Sequence, residues 1–222
     1  MNLNSEDLPR HFSSGLKPLY VVYGDALLLA IEAGDSIRAA ARAAGYSERD
    51  TFVVEQHFKW AELKNSTQSL SLFADKKIID IRIPSGKPGV EGGQALQDYV
   101  ANLSPDILTL ITLPKLDGTA QKSKWFAALQ QHAVVISTND VPRNALPAWL
   151  AGRLKRQDQS TDKATLEFLA DRCEGNLLAA FQEIQKLALL FPAGELSFEQ
   201  VKDSVTDVAR YDIFKLAEAM LT

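Results

Sequence analysis

From residue 19 to residue 137 short apolar runs alternate with longer stretches whose apolar positions recur about every three to four residues, the pattern of an α/β domain with a parallel sheet flanked by helices. The runs predict strands at Leu19–Tyr23, Thr51–Val54, Lys77–Ile83, Ile107–Leu113 and Ala133–Ser137. The stretches between them predict helices at about Ala26–Ala44, Trp60–Leu70, Gly92–Leu103 and Ser123–Gln131. In the third run Ile79, Ile81 and Ile83 alternate with Ile78, Asp80 and Arg82, so this strand is expected near a sheet edge or with one face partly wet. Leu108–Leu113 is apolar almost throughout, as a strand covered on both sides is, and belongs in the middle of the sheet.

The pattern changes after Ser137. Residues 139–147 hold two prolines and several turn formers, which places a domain boundary there and gives an α/β domain over residues 1–140. Beyond it the spacing is helical only: Ala148–Arg156, Asp162–Cys173 with Thr161 as its cap, Leu177–Phe191, and Phe198–Val205 capped by Ser197. Gly175 supplies a helix stop. Leu166, Leu169, Ala170, Leu177, Ala180, Phe181, Ile184, Leu187 and Ala188 fall at helical spacings and set the core of a small all-α domain over residues 141–208. A further amphipathic helix begins at about Tyr211 and meets no C-cap, so residues 209–222 read as the start of a third helical domain that is cut short.

With 222 residues, 46% of them hydrophobic, the chain has material for a full core and a second small domain. Its single cysteine, Cys173, excludes an internal disulfide framework and offers no zinc spacing. His11, His57 and His132 lie far from one another in the sequence and from any carboxylate or cysteine pattern, so neither a metal nor a cofactor is expected. The polar, acidic start Met1–Asp7 and the lack of a bilayer-length apolar run predict a cytoplasmic protein with no membrane partner. A formal charge of −4 argues against strong autonomous DNA binding by phosphate neutralisation and leaves room only for a local basic face. Lys115, Lys122 and Lys124, and Arg153, Lys155 and Arg156, are read as solvated faces.

The turn Tyr23-Gly24-Asp25 after the first strand sits where a phosphate loop would stand in an α/β nucleotide-binding domain. Such a loop needs several glycines whose amides cradle phosphate, a lysine, and a hydroxyl for magnesium. Here there is one glycine, no lysine and no hydroxyl, and Asp25 is read as a cap of the following helix that would repel a phosphate. The central strand runs into Leu113-Pro114-Lys115-Leu116-Asp117, which lacks paired acids for magnesium and water, and Asp117 reads as a turn residue. No nucleophile elbow, paired histidine or acid/base glutamate set is present, so no intrinsic catalysis is expected.

One motif remains. Gln68-Ser69-Leu70-Ser71-Leu72-Phe73 ends the third predicted helix on two adjacent large apolar residues, directly before the charged turn Asp75-Lys76-Lys77. Neighbouring side chains on extended backbone point to opposite faces, so one of the pair meets solvent unless something covers it. Two readings stand: both residues fold under a loop and finish the core, or they anchor a partner.

Taken together, Tyr23-Gly24-Asp25 with Leu27-Leu28-Leu29, Ser71-Leu72-Phe73-Ala74, Trp125–Leu129, Leu146-Pro147-Ala148-Trp149 and Glu174–Ala179, in that order and spacing, resemble the delta subunit of the bacterial DNA polymerase III clamp loader. The residues Leu189–Leu196 and Val205-Thr206-Asp207 look like the corresponding helix hairpin and domain end of that family. The resemblance covers most of the chain and implies an AAA+-like fold that has lost ATP hydrolysis and serves in DNA replication. It implies that Gln68 begins a clamp-binding motif and that Leu70, Leu72 and Phe73 enter a pocket on the beta sliding clamp. Leu70 stands where some relatives carry methionine, a volume-conserving change. The further partners it implies are the gamma/tau and delta prime subunits, with primed DNA met only within the assembled loader and the complex associated with the replisome. Rival readings are a divergent AAA+ ATPase or helicase-loader domain, and a non-catalytic adaptor whose Leu72-Phe73 pair is buried.

Overall fold

The computed structural model describes residues 1–68 and 76–209 and divides into two compact units, Met1–Asn139 and Asp140–Thr222. In the first unit β1 (Asn2–Leu3), α1 (Leu8–Phe12), β2 (Leu19–Gly24), α2 (Leu27–Ala43), β3 (Glu48–Val53) and α3 (Trp60–Gln68) follow in order. Then come β4 (Lys77–Arg82), α4 (Gly89–Ala101), β5 (Ile107–Pro114), α5 (Gly118–Gln121), α6 (Lys124–His132) and β6 (Val134–Thr138). The strands form one parallel six-stranded sheet in the order β1-β6-β2-β5-β4-β3.

Alternation along each strand separates two cores. Val21, Ile79, Ile81 and Ile111 pack with Trp60 and Leu63 of α3, Leu96 of α4 and Phe126 of α6. Tyr20, Val22, Ile78 and Leu110 pack on the other side with Leu8 of α1 and Ala33, Ile37 and Ala41 of α2. The sheet is therefore sandwiched between helices, and β5 lies inside it between β2 and β4. β4 stands next to the edge strand β3, as its alternation suggested, and its charged face is wet only at the end of the strand, where Arg82 is exposed. Asp80 is fully buried because Arg38 of α2 and Arg49 of β3 close over it at 3.0 Å and 2.5 Å. The sequence pattern did not bring out β1, α1 or α5. Each is too short to show a period, and α1 carries Pro9 in its first turn, where a missing N–H costs nothing.

The second unit holds α7 (Leu146–Lys155), β7 (Gln159–Ser160), α8 (Lys163–Cys173), α9 (Leu177–Leu190), β8 (Gly194–Glu195) and α10 (Phe198–Ala209). Leu150, Leu154, Leu169, Ala170, Ile184 and Leu187 are buried in it. Ala188 is exposed, contrary to expectation, and Glu183 is buried on α9 instead. The cap of α8 is Asp162, whose carboxylate accepts the Thr165 N–H at 2.7 Å. Thr161 does not cap, because its hydroxyl donates to the Leu196 carbonyl at 2.8 Å beside the β7–β8 pair. Ser197 caps α10 as read, in a reciprocal box with Gln200. Gly175 takes φ +74 between α8 and α9, the left-handed geometry of a helix stop.

Candidate functional site

The expected partner motif begins at the end of α3. Trp60 opens this helix, buried against Phe58 at a ring distance of 5.1 Å, and Leu63 one turn on enters the sheet core. Ser66, in the last turn, donates its Oγ–H to Asp50 Oδ2 at 2.5 Å. Asp50 lies on β3, and the same carboxylate oxygen stands 2.7 Å from the Lys77 ammonium at the start of β4. Lys77 Nζ also reaches the Ser66 carbonyl at 3.4 Å. Burial pushes the Asp50 carboxyl up, but hydrogen bonds from Lys77 and Ser66 and the Lys77 charge outweigh it and hold the group below its ordinary 3.8. Lys77 is buried rather than part of a solvated charged turn. Of the motif itself, Gln68 is the last residue of α3, while Leu70, Leu72 and Phe73 lie outside the described residues.

The phosphate-loop position is built differently. The N–H of Ala26 donates to the Thr138 carbonyl at 3.0 Å, which draws the turn after β2 onto the end of β6. A Cβ at Gly24 would stand 2.0 Å from that carbonyl oxygen, so only glycine permits the approach. Asp25 does not cap α2, whose cap position is Ala26 with no side-chain bond; its carboxylate instead meets the Lys115 ammonium beyond β5. The turn thus spends an amide on Thr138 and faces solvent with a carboxylate, an arrangement unsuited to cradling phosphate. Asp117 is more than a turn residue, since it caps α5 by accepting the Ala120 N–H at 2.7 Å.

The family model described as DNA polymerase III, delta subunit, matches residues 20–139. This chain belongs to the DNA polymerase III delta subunit family. The Escherichia coli (strain K12) DNA polymerase III subunit delta is 30% identical over 221 residues, covering 100% of this chain and 64% of that protein. The Haemophilus influenzae subunit delta is also 30% identical, over 219 residues that cover 97% of this chain and 63% of the relative. The chain therefore spans less than two thirds of the length of these relatives. Among solved structures, the Bacillus subtilis DNA clamp loader delta protein superposes with a TM-score of 0.66 at 18% identity, over 89% of this chain and 61% of that one. The fold is AAA+-like, as the resemblance implied, and its parallel sheet flanked by helices is as the sequence pattern predicted.

The remaining sequence candidates in this delta-family chain are distributed as structure. Arg153 is not solvated: it is buried with its guanidinium 4.5 Å from the centre of the Trp149 ring and 5.6 Å from that of Phe181, so the cation rests on aromatic faces. Cys173 is buried, and desolvation first and the Glu183 charge second push its thiol up to about 11, which keeps it protonated and unreactive at neutral pH. Among the described residues no group of three or more His, Cys, Asp or Glu is placed to hold a metal ion, and no helix is long and apolar enough to cross a membrane. The pair of half-exposed Asp50 and buried Lys77 went unseen in the sequence, because β3 and β4 pair only after α3 has intervened. The one available signal was Asp50, a poor strand former, directly before the run Thr51–Val54 that reads as β.

Proposed function

We propose that this chain is a clamp-loader delta subunit that binds the beta sliding clamp through Leu70, Leu72 and Phe73, with Gln68 opening the motif, and helps open the ring for loading onto primed DNA. The observation that carries this reading is the family match over residues 20–139, which spans the stretch where these four residues lie. The turn at Gly24-Asp25-Ala26, with its amide engaged by Thr138 and its carboxylate paired with Lys115, fits a subunit that does not hydrolyse ATP itself.

The mechanism is mechanical. If the chain binds a distorted ring interface more tightly than the closed one, it shifts the clamp towards opening by that differential affinity and no further. Nucleotide binding then belongs to the gamma/tau subunits, and delta prime completes the loader, in which primed DNA is met. In this reading residues 141–208 are the lid-type domain and residues 209–222 begin the collar through which the subunits assemble.

The test is binding of purified wild-type and Leu72→Ala/Phe73→Ala chains to the sliding clamp, with a melting curve for each. Affinity should fall by about 2 kcal/mol or more per anchor while the melting temperature holds. A collapse of stability instead returns the pair to the core, where truncations cost several kcal/mol, about 3 to 5 for phenylalanine alone. Magnesium-dependent ATP binding in the micromolar range by the same protein would favour an ATPase.

A further inference from the structure

Ser66, in the last turn of α3, and Lys77, at the start of β4, flank the Gln68–Phe73 motif in sequence, and one carboxylate meets both. Asp50 Oδ2 accepts from Ser66 at 2.5 Å and stands 2.7 Å from Lys77 Nζ. The side chain of Lys77 is only 7% exposed, whereas that of Asp50 is 40% exposed. An ammonium taken from water is costly unless paired, and an apolar residue would fill the same space more cheaply, so packing alone does not account for a lysine here. Lys76 is held as well, donating to the Ala44 carbonyl at 3.2 Å and lying 5.3 Å from the centre of the Tyr46 ring.

We propose that Asp50, with Ser66 and Lys77, forms a positioning clasp that fixes both ends of the segment carrying the clamp-contact residues. The inference rests on the clamp-binding reading above and assigns that site residues which do not themselves touch the partner. Tying the ends removes conformations that a free loop would have to give up on binding, so part of the ordering cost is met within the fold. The clasp draws on three separate elements, the edge strand β3, the last turn of α3 and the first residue of β4, and so also sets the segment's base relative to the sheet.

The experiment compares clamp binding by the wild-type chain, Lys77→Met, Asp50→Asn and the charge swap Asp50→Lys/Lys77→Asp, each with a melting curve. Lys77→Met unties the clasp without leaving a buried cation unpaired. The clasp predicts that each single variant binds the clamp about five- to tenfold more weakly, the scale set by the cost of ordering a few side chains. It also predicts that Lys77→Met melts close to wild type, that Asp50→Asn melts lower because it leaves the buried Lys77 ammonium without its counter-charge, and that the swap recovers part of the lost affinity. Unchanged affinity in Lys77→Met and Asp50→Asn, alongside loss of binding in Leu72→Ala/Phe73→Ala, overturns the clasp and leaves the clamp reading standing. Affinity that falls only in step with melting temperature also overturns it, because the three residues are then merely structural. No binding by the wild-type chain overturns the clamp reading and the clasp with it.

Discussion

Asp80 on β4 and Asp50 on β3 are near neighbours in register, Asp80 opposite Thr51 and Asp50 opposite Ile79, yet they serve opposite faces of the sheet. Asp80 is fully buried and carries Arg38 from α2 and Arg49 from the edge strand, with Arg82 more distant at 3.7 Å. One of its oxygens has no hydrogen-bond partner at all. Asp50 keeps two fifths of its side chain in solvent and joins the ends of a single chain connection. A dry carboxylate holding arginines from two elements fastens the scaffold, whereas the half-wet one that meets Ser66 and Lys77 is, in the clasp proposed above, a positioning residue. Burial sets the cost of breaking each pair: a buried charge left without its partner destabilises the domain, which holds for Arg38 without Asp80 and for Lys77 without Asp50, while Asp50, two fifths exposed, can lose Lys77 with little global cost.

The largest effect that would break this comparison is on Asp80. Asp80→Ala leaves Arg38 and Arg49 over an empty acid position and should cost about 3 kcal/mol of stability, as removal of one member of a buried ion pair does. Urea unfolding of the variant measures it, and a loss below about 1 kcal/mol would place Asp80 with the wet pairs. Lys77→Met should cost less than about 1 kcal/mol by the same denaturation, because an apolar replacement of a buried ion is commonly near neutral. A larger loss would make the Asp50 pair part of the scaffold.

Acid titration sharpens the contrast further. The Asp50 carboxyl is held below its ordinary 3.8 in the folded chain, so the unfolded chain binds its proton first as pH falls. Its stabilising contribution is therefore complete above about pH 4 and is lost as pH drops through the lowered folded value. The stability difference between wild type and Asp50→Asn should stay constant from pH 7 to about pH 4 and narrow below it. A difference that already shrinks at pH 6 would mean that another group governs the pair. The smallest effect belongs to the Asp25–Lys115 pair, where the lysine is 65% exposed: Lys115→Ala should move stability by no more than about 0.5 kcal/mol, read as a shift in urea midpoint.

Much of the first unit was legible because strand and helix periods are local. The five longer strands and four longer helices follow from runs such as Leu108–Leu113 and from apolar positions such as Ala33, Ile37 and Ala41. The proposed partner motif Gln68–Phe73 was reached only through an ordered set of short motifs running from Tyr23-Gly24-Asp25 to Glu174–Ala179, and that set pointed to the family. Illegible were the uses of charge. Asp25 read as a cap and pairs with Lys115; Arg153 read as solvated and lies on Trp149; Lys77 read as part of a charged turn and is buried against Asp50.

By itself, then, the sequence determined the parallel α/β scaffold, the helices beyond residue 139 but not the two-residue strands β7 and β8 among them, the absence of a lysine and hydroxyl from the phosphate-loop position, and the apolar motif before β4. These depend on side-chain period and residue type, which act over a few neighbouring positions. Only the tertiary structure decided which acid meets which base, because that depends on strand order: β3 joins the edge beside β4, and β6 comes to lie beside β2 from the far end of the domain. That order brings Asp50 to Ser66 and Lys77, and the Thr138 carbonyl to the amide of Ala26, contacts between residues that the chain itself keeps far apart.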